Sequence, residues 1–325
     1  MPDRLPSKVL ITGGREVGGL VAFAEGLAEG FSALGIATEV IPPRKVFGKL
    51  RELRDPSVLK ILSTTAVFAA PMARRAICVA HGIARADVHG WTKMIAIHAS
   101  FKLANCSRGT RLVAVSDYVA VHLRGLFNVR VDGVIRNPLQ SLFLEPYQET
   151  ERRYLTFAGR LVPIKNVHRL LPAMCELQKK NPELRICVIG DGPMREGLQA
   201  SFPGVEFKGR LTSSEMRTYL RQTKVFVSGT EMEALGISYL EALSQGCTVA
   251  MPACGGGLEI ALNQVGKRVH LLPLSWDQAQ VTCVLRRALF SCVPPVSLTL
   301  YSSEAVAKAY LSVDSSFVEN QGAVH

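Results

Sequence analysis

The sequence has no Cys-x-x-Cys, although it holds eight cysteines, so the spacing on which zinc sites are usually built is missing. Cys78, Cys187 and Cys247 fall in apolar, strand-like runs and read as buried thiols rather than disulfides or metal ligands. There is no run of 18 or more apolar residues, which excludes a membrane-crossing helix of ordinary length. The amino terminus, MPDRLPSK, lacks the apolar core and cleavage site of a secretory leader, so the expectation is a soluble, cytoplasmic chain. Also missing is the G-x-G-x-x-G turn of dinucleotide sites. The glycines after the first strand stand at 13, 14, 18 and 19, and no acidic residue closes the second strand, which disfavours a nicotinamide oxidoreductase. The formal net charge of +11 suits an anionic partner, and with no nucleic-acid-binding motif present that partner is expected to be a nucleotide or an anionic lipid rather than nucleic acid.

A length of 325 residues suits two domains, each with its own core. Lys8 to Thr12, KVLIT, is an apolar strand that runs into GGREVGG and then into a helical pattern of Leu20, Phe23, Ala24, Leu27, Phe31 and Leu34. IATEVIP follows, completing the opening strand-helix-strand of a doubly wound parallel sheet. The turn at Gly13 and Gly14 is either a tight turn or a loop whose bare backbone approaches a ligand. Between Pro43 and Arg75, Arg44, Lys45, Lys49, Arg51, Arg54, Lys60, Arg74 and Arg75 outnumber Glu52 and Asp55, while Val46, Phe47, Leu50 and Leu53 fall at helical spacing. That pattern predicts a basic amphipathic helix over 44–60, which either docks on its own sheet or touches the anionic inner face of a membrane. ICVAHG, Ile77 to Gly82, is a buried strand that ends in His81. Open α/β sheets hold ligands at strand carboxyl ends, so His81 is better situated than His89 or His98. A polar connector, LFLEPYQETERR, then separates a first domain, 1–145, from a second, 146–295. Residues 296–325 form a final helix, from about Glu304 to Leu311, that crosses back to the first domain, and a tail.

In the second half YLTFAGR, LRICVIG, VEFKG, KVFVSG, CTVAMP and RVHLLP read as strands separated by helices, a second parallel sheet. Arg160 and Lys165 follow the first of these and emerge at the same carboxyl edge as Glu233. Each would gain roughly 4 kcal/mol against a phosphate at about 4 Å with an effective dielectric near 20, before desolvation. As an isolated pair they more often read as solvated surface charges. Gly190 opens the loop GDGP at another strand end. In SGTEMEALGISYLEALSQGCTVAMPACGGGLE, Ser228 to Glu259, Ile237, Leu240 and Leu243 recur at helical spacing between Gly236 and Gly246. A helix start presents free N–H groups and partial positive charge to an anion. Glu233 precedes that helix and Glu241 lies on it, roughly 7 to 8 Å along at about 1.5 Å per residue. Both carboxylates are placed to accept hydrogen bonds from sugar hydroxyls that flank a bound phosphate.

GRLVPIKN at 159–166, VIGDGP at 188–193, Glu233 and Glu241 within EALGISYLEALSQG, and GGGLE at 255–259 together resemble the retaining GT-B glycosyltransferases of family 4, also called glycosyl transferases group 1. The likeness is continuous over about 154–290 and looser before it, where the Gly13-Gly14 loop, VAHG, VAVSDYV and VIRNPL keep the family's order. The resemblance implies an α/β protein of two doubly wound, Rossmann-like domains facing a central cleft, with the acceptor on the first and the nucleotide-sugar donor on the second. It implies that Arg160 and Lys165 hold the donor diphosphate, that Glu233 contacts the transferred sugar, and that Glu241 contacts the ribose. Gly190, Leu235, Gly236 and Ile237 would line the donor site, with Gly255, Gly256, Gly257 and Leu258 near the sugar or phosphates. Gly13 and Gly14 would approach the phosphate or acceptor, and His81 would stand beside the sugar. His81, Arg160, Lys165 and Glu233 are thus the implied catalytic set.

The implied reaction is front-face transfer with retention, from a nucleotide sugar to a glycan or lipid-linked acceptor in cell-envelope polysaccharide or glycoconjugate synthesis. No cofactor and no metal are implied, since cations and a helix dipole take the metal's place, and the chain has no Asp-x-Asp. Glu233 is followed by Ala-Leu-Gly where the family usually has Gly-Phe-Gly, and the first domain is short. Two rival readings are a non-catalytic nucleotide-sugar-binding protein, which the intact Glu233 and Glu241 pair speaks against, and a nucleotide-sugar epimerase of the same fold.

Overall fold

The computed structural model describes residues 5–14, 19–84, 90–145, 150–262, 268–291 and 298–322. The short apolar runs form strands in two sheets. In the first are β1 (Lys8–Thr12), β2 (Ala37–Ile41), β3 (Val58–Ser63), β4 (Ala76–Ala80), β5 (Thr110–Ala114) and β6 (Gly133–Val134), in the order β2-β1-β3-β4-β5-β6. In the second are β7 (Tyr154–Ala158), β8 (Arg185–Ile189), β9 (Glu206–Gly209), β10 (Thr223–Val227), β11 (Thr248–Pro252) and β12 (Val269–Leu272), in the order β12-β11-β10-β7-β8-β9. Every described pairing is parallel. Parallel sheets are covered on both faces, which is why β4 and β11 bury every residue and read as unbroken apolar stretches.

These elements group into two units, Met1–Ser141 with Thr299–His325, and Leu142–Leu298. In the second unit the helix Val167–Lys180 turns Val167, Leu170, Leu171, Met174 and Leu177 onto the sheet, a spacing of three and four that makes one apolar face. The helix Ser213–Arg221 opens with a capping box, in which the Thr212 hydroxyl accepts from the Glu215 N–H and the Glu215 carboxylate accepts from the Thr212 N–H. In the first unit the helix Ser303–Gly322 packs on the helix Gly19–Ala33 so closely that a Cβ on Gly30 would stand 2.0 Å from the Ser303 carbonyl oxygen. Asp314 of that helix, buried, accepts from the Arg75 guanidinium at 2.6 Å.

The segment 44–60 corrects one expectation. It is not one amphipathic helix but a 3₁₀ turn (Pro43–Gly48), a short helix (Leu50–Arg54) and the first residues of β3. Val46 and Leu53 are buried, whereas Phe47 and Leu50 face solvent, so no single apolar face spans the segment. Two of its cations are also committed within the unit: Lys49 pairs with Glu39 and Glu52, and Lys60 is fully buried, its ammonium donating to the Asp55 and Arg74 carbonyls. Burial lowers the Lys60 pKa to about 8. Cys78, Cys187 and Cys247 are buried free thiols whose pKa burial pushes up to about 12. Among the described residues no helix is long and apolar enough to cross a membrane.

Candidate active site

Strand order reverses between β7 and β10, and in open α/β sheets ligands collect outside the strand carboxyl ends at such a reversal. The loop after β7 carries Arg160, a 3₁₀ turn (Pro163–Lys165) and Asn166 in the left-handed region with φ of 50°. The loop after β10 carries Glu231 and Glu233 before the helix Ile237–Ser244. The two loops touch through backbone: a Cβ on Gly229 would lie 2.8 Å from the Lys165 carbonyl oxygen. Across that contact the Lys165 ammonium reaches the Glu233 carboxylate at 3.2 Å. Arg160 is exposed, with no hydrogen bond or ion pair to its guanidinium among the described residues. No side chain caps the helix Ile237–Ser244, which begins after Gly236.

Behind the loop after β10 stands Tyr239, fully buried, with its hydroxyl 2.9 Å from Ser228 Oγ. Gly236 has φ of 91°, and a Cβ there would sit 2.4 Å from the Tyr239 ring. The same ring would meet a Cβ on Gly257 at 2.7 Å. The glycines after β11 serve the loop directly as well: the Gly256 N–H donates to the Glu233 carbonyl at 2.7 Å, and a Cβ on Gly255 would stand 2.6 Å from that oxygen. The absent side chains at 236, 255 and 257 therefore fix where Glu233 sits. Glu241, half-buried on the helix, has no hydrogen-bond partner among the described residues, and burial pushes its pKa up to about 7. Gly190, with φ of 125°, lets the loops after β7 and β8 meet, since a Cβ there would be 2.0 Å from the Gly159 carbonyl oxygen.

The structure thus brings together Lys165, Glu233, Leu235, Gly236, Ile237 and the 255–257 glycines, with Arg160, Gly190 and Glu241 on the same unit. Gly13, Gly14 and His81 belong to the first unit and form a separate group. Gly13 answers first to packing: a Cβ there would lie 2.4 Å from Ala24 Cβ, and one on Gly14 would lie 3.0 Å from Val21 Cγ2. His81 directly follows β4, edge-on to Phe23 with ring centres 4.4 Å apart. Its buried Nε2 has no partner among the described residues, and burial lowers its pKa to about 4, so the ring is neutral at pH 7. His98 is a packing residue, stacked on Phe127 at 3.5 Å with Nδ1 2.8 Å from the Met94 carbonyl oxygen. His89 and Gly18 lie outside the described residues.

Sequence reasoning missed Tyr239, Asn166 and Trp276. Tyr239 interrupts the apolar spacing of its helix without breaking it, and the signal that could have found it is the pair of glycines that clear its ring. Asn166 and Trp276 both donate to Glu231, a contact across 65 and 45 residues of chain that no local pattern announces.

Residues 144–280 match the family model described as Glycosyl transferases group 1. The sulfoquinovosyl transferase SQD2 of Arabidopsis thaliana is 34% identical over 154 residues, covering 46% of this chain and 29% of the relative. A GDP-mannose-dependent alpha-mannosyltransferase of Mycolicibacterium smegmatis is 25% identical over 234 residues, covering 66% of this chain and 60% of the relative. The chain therefore spans less than two thirds of the length of either. Among solved structures, that of Anabaena HepE in complex with UDP and glucose superposes with a TM-score of 0.69 at 15% identity, covering 98% of this chain and all of that one. Two parallel six-stranded sheets flanked by helices give this chain the GT-B fold, and its residues 144–280 are similar to the glycosyl transferases group 1.

Proposed function

We propose that the protein is a glycosyltransferase that moves a sugar from a nucleotide-diphosphate donor to a hydroxyl acceptor, with retention of configuration at the sugar. The observation that carries this reading is the Lys165–Glu233 pair at the reversal of the second sheet, with Arg160 exposed and unpaired on the adjoining loop. In the reading the ammonium of Lys165 and the guanidinium of Arg160 hold the diphosphate, and charge that builds on it as the glycosyl bond loosens falls on fixed cations and an uncapped helix start. Glu233, tethered by Lys165 and by the Gly256 N–H at its own carbonyl, accepts hydrogen bonds from the sugar. Glu241, desolvated, accepts from the ribose.

Front-face entry of the acceptor hydroxyl, with its proton passing to the leaving phosphate, needs no dedicated base and fits a site whose nearest carboxylate is already engaged by a lysine. Metal independence belongs to the same proposal. The relatives' names, a sulfoquinovosyl transferase and a GDP-mannose-dependent mannosyltransferase, support sugar transfer, and the second supports a nucleotide-sugar donor.

The test is titration with UDP, GDP and ADP beside a transfer assay. Lys165→Ala and Arg160→Ala are each expected to weaken the nucleotide that binds by tenfold or more, since a charge-assisted bond to an anion is lost. Glu233→Gln should lower turnover strongly while free-nucleotide affinity holds, and Glu241→Gln should raise the donor KM and weaken the free nucleotide as well. Release of free nucleotide diphosphate without any acceptor, or equal and small effects of both glutamate changes, would overturn the proposal.

A further inference from the structure

The residue the donor reading leaves unused is Glu231, two positions before Glu233 on the same loop. Its carboxylate is at the surface, where a glutamate ordinarily samples many rotamers. Here it is held: Oε1 accepts from Asn166 Nδ2 at 3.0 Å and from the Trp276 indole N–H at 2.6 Å. The donors arrive from opposite sides, Asn166 from the loop after β7 and Trp276 from the loop after β12. Both occupy the left-handed region, with φ of 50° and 56°, which is uncommon for asparagine and rarer for tryptophan. The Trp276 ring is in turn covered by the Arg169 guanidinium, 5.9 Å from its centre. The main chain on the other side is fixed as well, because Cys254 Sγ donates to the Glu231 carbonyl at 2.9 Å.

Two features separate this carboxylate from its neighbour. Glu233 is charge-compensated by Lys165, whereas both donors on Glu231 are neutral, an amide and an indole, so its negative charge is oriented without being cancelled. Both donors also fall on one oxygen. Oε2 accepts no hydrogen bond among the described residues and retains its full acceptor capacity.

We infer that Glu231 is a specificity-determining carboxylate, positioned by Asn166 and Trp276, that selects an uncharged, hydroxyl-bearing sugar and rejects a sugar carrying its own carboxylate. This rests on the reading of the Lys165–Glu233 site as the donor site. The chemistry is that of an immobilised acceptor: a hydroxyl of the donor sugar supplies the proton that Oε2 lacks, while the carboxylate of an anionic sugar meets an uncompensated like charge and has no proton of its own to donate. Asn166 and Trp276 act through Glu231 and are positioning residues.

The experiment is isothermal titration of the wild type, Glu231→Gln and Trp276→Phe. Each is titrated with free UDP, GDP and ADP, then with the neutral-hexose and the uronic-acid donors of the nucleotide that binds, such as UDP-glucose and UDP-glucuronic acid. Wild type is expected to favour the neutral donor by at least tenfold. Glu231→Gln, which keeps shape and removes charge at a surface position, should bring that ratio below threefold with free-nucleotide affinity unchanged within twofold. Trp276→Phe keeps an aromatic ring near Arg169 and removes the five-membered ring with its N–H, so it should narrow the ratio part of the way. Nucleotide binding with the wild-type ratio retained in Glu231→Gln overturns the inference and leaves the donor site standing, as does a wild type that takes the uronic-acid donor as well as the neutral one. No binding of any free nucleotide overturns the donor reading itself, and this inference with it.

Discussion

Around the strand reversal at the carboxyl edge of the first sheet the described groups are small or neutral. Thr12 ends β1 and Ser63 ends β3, and their hydroxyls bond across the strand reversal, with Ser63 Oγ donating to the Thr12 carbonyl at 2.6 Å and Thr12 Oγ1 donating to that of Ile61 at 3.1 Å. Gly13 and Gly14 follow, and His81 stands neutral after β4. At the matching edge of the second sheet the reversal is bordered instead by Arg160, Lys165, Glu231 and Glu233, with Glu241 beyond them. The same physics acts on both edges, since burial drives His81 down and Glu241 up, each toward its uncharged form. Charge persists at the second edge because those side chains are exposed or paired. One architecture therefore supplies a neutral, hydrogen-bonding face and an ionic one, and the difference lies in a handful of loop residues.

The largest expected effect tests that asymmetry in turnover. Replacing an ionic group of the second edge, as in Lys165→Ala or Glu233→Gln, should slow transfer by about 10²- to 10³-fold, the usual result of removing one group that stabilises developing charge. His81→Gln at the neutral edge should cost no more than about tenfold, since a neutral ring offers a single hydrogen bond. Single-turnover rates for the three variants check this, and a His81 loss as large as that of Lys165 would erase the distinction.

A somewhat smaller effect is expected in stability against pH. His81 binds its proton less readily folded than unfolded, so its contribution is present above about pH 6.5 and is lost as pH falls toward 4. Glu241 binds its proton more readily folded than unfolded, so its contribution is greatest below about pH 4.5 and is lost as pH rises through 7. Each is worth at most about 3 kcal/mol, at about 1.4 kcal/mol per unit. The depressed carboxylates, Glu39 and Asp55 in the first unit and Glu176 and Glu215 in the second, titrate at or below their ordinary range and leave the window from 5 to 6.5 to Glu241 and the histidines, where His98 in the first unit and His168 in the second, both lowered by burial, act in the same direction as His81. Scanning calorimetry over that window should show one transition rising with pH and another falling. His81→Gln should flatten the first and Glu241→Gln the second.

The smallest effects concern the glycines. Gly236→Ala places a Cβ against the Tyr239 ring at a positive φ and should destabilise the fold by about 2 to 3 kcal/mol. Gly13→Ala, whose Cβ would meet Ala24 Cβ at 2.4 Å and Val40 Cγ1 at 3.3 Å without a positive φ, should cost about 1 to 2 kcal/mol. Gly48→Ala, with nothing within 4 Å and no positive φ, should leave stability unchanged or raise it by up to about 1 kcal/mol. Midpoints in urea rank the three.

Most strands were legible because a parallel sheet demands continuous apolar runs, and the six of the second unit stand where YLTFAGR, LRICVIG, VEFKG, KVFVSG, CTVAMP and RVHLLP lie. β3 was not, for a single physical reason: Lys60 sits in the middle of VLKILS, and a lysine there reads as a solvent-facing charge. It is buried because two main-chain carbonyls, of Asp55 and Arg74, take its ammonium, and those partners are set by tertiary structure. At the candidate site the residue types of Lys165, Glu233 and Glu241 were legible, and so was the helix start after Gly236. The pairing of Lys165 with Glu233 spans 68 residues and depends on two loops meeting at Gly229. Trp276 was beyond reach, since nothing local foretells a tryptophan with positive φ.

The helix Ser303–Gly322 has a consequence for the order in which the chain can be built. It belongs to the first unit, where Val306, Ala307 and Tyr310 are buried, yet it is made after the whole of the second unit. During synthesis the face of the helix Gly19–Ala33 around Gly30 stays uncovered while more than half of the polypeptide is still to emerge. The second unit is continuous, from Leu142 to Leu298, and has every strand of its sheet before the closing helix appears. A ribosome-bound chain stopped short of residue 303 thus holds a second unit with all its strands and a first unit still open along one side, so that loss of residues 303–322 unmakes a part of the molecule translated well before them.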